Sequence, residues 1–240
     1  MEPIRVFLGY DEREPVAYHA AAHSIHRFSS VPVTIAPLML GQLRGIFDRP
    51  RDPKQSTDFA FTRFLVPYLC DYRGWALFAD SDILFRRDIR DLWDLRDERF
   101  AVQVVQHEHV PQESIKFLGQ TQTSYPRKNW SSFMQFNNER CRALTPEYVA
   151  TAKGLDLHQF AWLSNEGEIG ALPKIWNHLV DYDPARPVQW IANLHYTSGG
   201  PWFADCRGRG YEQEWWDEFH RMLGPLAAEI ERSRPMRAAA

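Results

Sequence analysis

Cysteine is scarce. The 240 residues contain three, Cys70, Cys141 and Cys206, set far apart. An odd number without metal-ligand spacing excludes a disulfide framework and a thiolate zinc site, and suits a reducing compartment. Long apolar runs are also missing, and no stretch approaches the ~20 residues of a membrane-spanning helix. The opening "MEPIRVFLGYDEREP" lacks the basic region and apolar run of a signal peptide, so a cytoplasmic location is expected. Positive charge is not in excess: 28 Lys and Arg against 31 Asp and Glu give a net charge of −3. That balance carries no nucleic-acid footprint, so no nucleic-acid partner is expected. Internal repeats, low-complexity tracts and linkers are absent from the sequence, which favours one domain over 1–240, with a disordered tail from about 232 to 240.

Apolar and aromatic residues are plentiful. Hydrophobic residues make up 44%, enough for a sizeable core, and Trp and Tyr each number nine. "IRVFLGY" (Ile4–Tyr10) reads as a buried strand. "EPVAYHAAAHSIHRF" follows as a helix with Pro15 in its first turn, and "VPVTIAPL" as a second strand. Strand, helix, strand opens an α/β fold with a mostly parallel central sheet flanked by helices. "FDRPRDPKQST" (Phe47–Thr57) is rich in proline and charge and is expected to be a mobile loop, with Ser56 or Thr57 capping a helix "DFAFTRFLVPYL". Further strands are expected at "WALFAD", "AVQVVQ", "FMQFNN" and "VQWIANLHYTS". Helices are expected at "TPEYVATAKG", with Thr145 as its cap, and at "YEQEWWDEFHRML". The aperiodic segment from His107 to Lys128 is expected to be an active-site or acceptor loop.

One stretch poses a chemical question. In "WALFADSDILFRRDIRDLW" (Trp75–Trp93) an apolar strand ends in Asp80-Ser81-Asp82. Carboxylates two apart, converging at a strand end, repel each other unless a cation lies between them. A hard divalent ion suits the pair, and ligands in open α/β sheets bind beyond the carboxyl ends of strands. Taken alone, Asp-Ser-Asp is more often a surface turn. His195 ends a strand and opens the Gly-rich turn "HYTSGGPW". It is either a third ligand or a hydrogen-bonded structural histidine. Gly199 and Gly200 permit close approach of backbone to phosphate. Arg63 offers a fork of donors to a phosphate or to Asp80, or forms a surface ion pair. Gly9, Tyr10 and Asp11 form either a nucleotide-contact turn or an ordinary lead-in to the helix. His19, His23 and His26 share a helix face, but a solvated or hydrogen-bonded face explains them better than zinc. His107, Glu108 and His109 read best as a polar loop.

Seven segments, in order, resemble the family-eight glycosyltransferases. "RVFLGYDE" is similar to that family's first strand and nucleotide turn, and "FAFTRFLVPYL" to its arginine-bearing helix. "WALFADSDILFRRDIRDLW" is similar to its Asp-x-Asp core. "SSFMQFN", "HQFAWL", "LPKIWN" and "HYTSGGPW" are similar to its later motifs. The resemblance implies a GT-A (Rossmann-like) fold, a UDP-sugar donor and Mn2+ or Mg2+ held by Asp80, Asp82 and His195. It also implies transfer, with retention, to a saccharide, protein or small-molecule acceptor. It implies donor contacts at Gly9, Tyr10, Asp11, Arg63, Ser81, Gly199 and Gly200. Gln159 falls at the position against the sugar's reacting face, with His158 beside it in an acid-base or sugar-binding role. The sequence departs from the pattern in three places. Ser132 stands for a glycine, and His158 for an aspartate. The closing lysine, which helps hold the diphosphate, is missing before Pro201. A catalytically silent nucleotide- or sugar-binding module is the alternative. A nucleotidyltransferase fits less well, because "GYDEREP" lacks a Gly-rich phosphate loop.

Overall fold

The computed structural model describes residues 2–52, 55–108, 126–226 and 228–229. The expected tail at 232–240, most of the expected acceptor loop and His109 lie outside the described residues.

The chain starts as its hydrophobic pattern dictates. Strand β1 (Ile4–Gly9) leads into α1 (Pro15–Phe28) and β2 (Val33–Leu38), which lies parallel to β1. Pro15 occupies the first turn of α1, where a missing N–H costs no helical bond. Strand β3 (Trp75–Ala79) adds to the other edge of β1, also parallel. Strand β6 (Phe133–Asn137) pairs antiparallel with β3 and with β5 (Val102–Val104), and β7 (Ile169–Ala171) closes the row parallel to β5. The order is β2-β1-β3-β6-β5-β7, in which β6 alone runs against the rest. The expected α/β fold with a mostly parallel central sheet is therefore met.

Both faces of this sheet are covered, which explains the unbroken apolar run in β3. Ala76 and Phe78 enter one hydrophobic cluster, with Phe64, Met134 and Phe136. Leu77 and Ala79 enter the other, with Val6, Leu8 and Ile25 of α1. The period of two is that of a strand buried on both sides. The three cysteines are buried within the fold, and burial pushes each thiol up from its ordinary range.

A second, three-stranded sheet has the order β4-β9-β8: β4 (Ile83–Phe85), β9 (Asn193–His195) and β8 (His178–Leu179). The long strand expected over "VQWIANLHYTS" is shorter than the pattern suggests. Val188–Trp190 forms a 3-10 turn, and only Asn193–His195 pairs.

The helix expected over 58–69 is also broken. A 3-10 turn (Thr62–Leu65) precedes a four-residue α2 (Val66–Leu69), because Pro67 has no N–H to give to the carbonyl one turn back. Thr57 caps nothing; its hydroxyl is buried without a hydrogen-bond partner among the described residues. Further helices are α3 (Ile89–Trp93), α4 (Pro146–Thr151), α5 (Gly154–His158) and α6 (Glu212–Leu223). Thr145 caps α4 as expected, accepting from Tyr148 N–H at 3.1 Å. The proline-rich 47–57 loop is pinned at several points. Phe47 is buried, Arg49 donates to the carbonyls of Val149 and Ala152 at 3.0 and 2.7 Å, and Arg13 donates to the carbonyl of Ser56 at 2.5 Å.

Gly9 sits where the first strand meets this loop. A Cβ there would lie 2.5 Å from the buried ring of Phe59. Gly9→Ala is expected to destabilise the fold by ~1–3 kcal/mol through overpacking, read from the denaturation midpoint in urea without ligand. An unchanged midpoint would show that the ring gives way.

Candidate functional site

The site forms where the two sheets meet. Asp80 follows β3, and its N–H continues the pairing by donating to Ser132 O at 2.9 Å. Asp82 immediately precedes β4. The register of β4 with β9 sets Ile83 opposite His195, and Tyr196 N–H donates to Asp82 O at 3.0 Å. Backbone pairing thus brings His195 Nε2 to 3.3 Å from Asp82 Oδ1. One ligand atom from each of Asp80, Asp82 and His195 lies within 4.8 Å of the other two, the one such group of three among the described residues.

A chain of hydrogen bonds behind His195 selects its tautomer. Ser132 Oγ donates to Asn129 O at 2.6 Å and so accepts from Asn177 Nδ2 at 3.0 Å. Asn177 Oδ1 is then the atom 2.8 Å from His195 Nδ1. Nδ1 therefore carries a proton, and Nε2, on the side of the carboxylates, is the nitrogen placed to coordinate a cation. Two carboxylates with an imidazole nitrogen turned toward them could hold a metal ion. Two carboxylates and one imidazole suit Mn2+ or Mg2+, with further positions left for ligand oxygens. Ser132, which departs from the family pattern, is the residue that sets this chain in order.

Arg63 reaches Asp80 from the core. Its Nη1 lies 2.9 Å from Asp80 Oδ1 and 2.9 Å from Ser131 O, and its Nε donates to Phe59 O at 3.3 Å. The guanidinium stacks against Phe78 and Phe59. Most of the fork is committed to protein, which leaves Nη2 for a phosphate. Arg63 is thus a partner of Asp80, with the arginine buried and the aspartate partly exposed.

Asp11 is corrected. Its Oδ1 accepts from Arg13 N and Nε, and its Oδ2 from Arg13 Nη2 and Asp58 N. Burial pushes this carboxyl up, but the hydrogen bonds from Arg13 and Asp58 outweigh it and hold the pKa below the usual range. With all four lone-pair sites taken, Asp11 has no capacity for a base or ribose hydroxyl. It clamps the 47–58 loop to the first turn instead. Tyr10 is half-buried, edge-on to Tyr18 at 5.4 Å. Gly9 faces the Phe59 ring. Ser81 Oγ is buried without a hydrogen-bond partner among the described residues.

His158 ends α5, and its Nδ1 lies 2.7 Å from Ser131 Oγ. Burial pulls its pKa down to about 3, helped by the charges of Arg63, Lys128 and Arg49. An imidazole that stays neutral down to that pH does not donate a proton as a general acid, and is a weak base. The acid-base reading of His158 fits this environment poorly. Gln159 caps α5, with its carbonyl bound by Arg127 Nη1 at 2.6 Å. Asp80, Arg63, Ser131 and His158 thus form a continuous path from the acidic pair to the residue before Gln159.

The Gly-rich turn closes the other side. Gly199 has φ +106°, in the region that favours glycine. A Cβ on Gly200 would lie 1.9 Å from the Trp202 ring. Trp202 Nε1 donates to Glu14 Oε2 at 3.2 Å. Glu14, which the sequence reading missed, is buried at the start of α1. Burial, then the charges of Asp82 and Asp11, push it up to about 8, so it is mostly protonated at neutral pH. Asn177 and Ser131 were also missed as site residues. Asn177 lay in "LPKIWN", a segment that supplied the resemblance but no role. The helical histidines form no three-ligand group among the described residues, and His23 Nδ1 lies 2.7 Å from Glu218 Oε1, tying α1 to α6.

Comparison with solved structures gives the same class of fold. WbbM, a bifunctional glycosyltransferase, superposes with a TM-score of 0.63 at 15% identity, over 97% of this chain and 52% of WbbM. The chain thus spans about half the length of that protein. The galactosyltransferase LgtC, solved with donor and acceptor sugar analogues, superposes with a TM-score of 0.57 at 10% identity, over 91% of this chain and 96% of LgtC. The fold is that of the GT-A glycosyltransferases. No family model matches the sequence. Protein CDI of Arabidopsis thaliana is 44% identical over 227 residues, 90% of this chain and 86% of its own length. The chain belongs to the family of Protein CDI. No helix among the described residues is long and apolar enough to cross a membrane.

Two outcomes are expected from these contacts. Asn177→Leu should lower Mn2+ affinity by ~10–100-fold, as losses of an orienting partner do, in calorimetric titration of the nucleotide-free protein. Unchanged affinity would remove the tautomer argument. Glu14 gives a pH dependence. Its folded pKa of about 8 lies above the ordinary 4.5, so over that window the folded chain holds a proton that the unfolded chain has lost. Stability through Glu14 therefore falls as pH rises from about 4.5 to about 8. Glu14→Gln should gain on the wild type in melting temperature between about pH 5 and about pH 8, measured with EDTA. A difference independent of pH would contradict the raised pKa.

Proposed function

We propose that this chain is a metal-dependent glycosyltransferase of the family-eight type, a single domain over 1–240. It moves a sugar from a UDP-sugar to a saccharide, protein or small-molecule acceptor in the cytoplasm, with retention of configuration. The observation that carries the reading is the Asp80–Asp82–His195 group, with Nε2 of His195 turned toward the carboxylates. Asp80, Asp82 and His195 would hold Mn2+ or Mg2+. What such an ion supplies when bound is positive charge that offsets the charge developing on the leaving diphosphate.

The chain's own residues do the rest. Asn177 and Ser132 orient His195. Arg63 orients Asp80. Ser81, Gly199 and Gly200 line the approach to the diphosphate, and Tyr10 flanks the base. Gln159 supports the developing oxocarbenium ion through its side-chain carbonyl. It is too weak a base to deprotonate an acceptor at neutral pH, so the leaving diphosphate takes the acceptor proton from the same face, which gives retention. His158 acts as a neutral hydrogen-bonding residue that positions Gln159 through Ser131. Glu14, holding its proton, steadies the closing turn through Trp202 without adding charge to an acidic site.

One observation favours the silent nucleotide- or sugar-binding module. The closing lysine is missing, and Arg63 spends Nε and Nη1 on protein groups instead of replacing it.

One experiment separates these readings. The chain is incubated with a panel of α-linked UDP-sugars with and without Mn2+. UDP release is measured, and the anomeric proton of any transferred product is read by NMR. Metal-dependent release, lost in Asp82→Ala, with an α-linked product supports the proposal. Stabilisation by UDP and Mn2+ without release selects the silent binder. A β-linked product removes the role given to Gln159.

A further inference from the structure

Lys174, His178, Asp183, Arg186 and Trp190 line a cavity of about 170 Å3. It lies on the other face of the small sheet from the acidic pair. His178 is level with Leu194, which pairs with Leu84. Both leucines belong to the cluster beneath α6 that contains Trp215. His195 pairs instead with Ile83, which faces the central sheet. Neighbouring residues on a strand face opposite ways, so the cavity and the candidate metal centre are back to back.

The walls are held in place. Asp183 Oδ2 accepts Leu179 N–H at 2.8 Å and lies 3.8 Å from His178 Nδ1. The Tyr211 hydroxyl clamps the backbone of Arg186, accepting its N–H at 2.7 Å and donating to its carbonyl at 2.9 Å. His178 is itself buried, and its Nε2 has no hydrogen-bond partner among the described residues. Burial pulls its pKa down against the opposing charge of Asp183, so it adds no charge near neutral pH. The lining therefore carries two cations, Lys174 and Arg186, against one carboxylate. Trp190 is 60% exposed, the most open of the large hydrophobic residues described.

Each feature narrows the ligand. An open indole face suits the C–H face of a pyranose ring. A net positive lining suits one anionic group. The Asp183 carboxylate suits hydroxyl donors. The volume falls below the ~300–1,000 Å3 of drug-sized pockets, so it takes one ring and not a nucleotide. We propose that this cavity is a second carbohydrate site, which binds a single acidic sugar unit, a pyranose bearing a carboxylate or phosphate. Trp190 is the platform, Lys174 and Arg186 hold the anion, and Asp183 accepts from hydroxyls. The site is independent of sugar transfer at the other face.

The test uses the full chain in EDTA, titrated separately with D-glucuronate, glucose 6-phosphate and glucose, and followed by tryptophan fluorescence and by the indole N–H signals in NMR. Glucuronate or glucose 6-phosphate should shift the signal that disappears in Trp190→Phe. It should bind at least tenfold more tightly than glucose, a difference of about 1.4 kcal/mol. The stronger of the two identifies the anion as carboxylate or phosphate. Arg186→Ala should weaken the acidic sugar about tenfold and leave glucose unchanged, while Asp80→Asn should leave both unchanged. Equal binding of glucose and the acidic sugars, binding unaffected by Trp190→Ala and Arg186→Ala, or binding lost in Asp80→Asn would each overturn the proposal.

Discussion

Two three-residue strands, β4 and β9, set the chemistry of the molecule. Their antiparallel register, Ile83 against His195, brings a histidine from late in the chain beside an aspartate from its first half. A slip of one residue would turn every side chain of β9 to the other face. His195 would then enter the apolar cluster under α6, and Leu194 would face the carboxylates. The register is fixed by burial on both sides: Ile83 and Phe85 enter one core cluster, and Leu84 and Leu194 the other. Packing thus decides which residue meets Asp82.

Electrostatics then has to accommodate what packing brings together. Asp80, Asp82, Asp11 and Glu14 gather beneath one end of the central sheet. Each is handled differently. Arg63 answers Asp80 from the core, and Arg13 answers Asp11 by a forked pair. Glu14 keeps its proton. Asp82 faces His195, whose proton has been placed on the far nitrogen by Asn177. Four carboxyls in one neighbourhood therefore do not present four equal charges.

Much of this was visible in the sequence because it is local. The apolar run ending in Asp80-Ser81-Asp82 marks a buried strand that stops at a polar site. Pro15 and Thr145 mark helix starts through the dihedral and the hydroxyl that a first turn uses. The hidden parts depend on partners distant in the chain. Nothing near Glu14 announces that Asp82 and Trp202 will surround it. Asp11 looked like a ligand contact because Arg13's side chain could as well have pointed to solvent. The helix over 58–69 was overread because its apolar pattern was weighed and the missing N–H of Pro67 was not. Asn177 was seen only as part of a motif, since its task is to orient a ring brought in by β9.

The continuation of strand pairing past both aspartates has a consequence for ion selectivity. Asp80 N–H bonds to Ser132 O, and Asp82 O receives Tyr196 N–H, so both backbones are stiff before any ion arrives. A stiff face with a nitrogen among its three donors disfavours Ca2+, which prefers six to eight oxygens in a yielding cage. The nitrogen also favours Mn2+ over Mg2+, whose chemistry is almost wholly that of oxygen and water. The same two backbone hydrogen bonds that extend the sheets would therefore bear on which ion the cradle accepts, through its stiffness as well as its net charge.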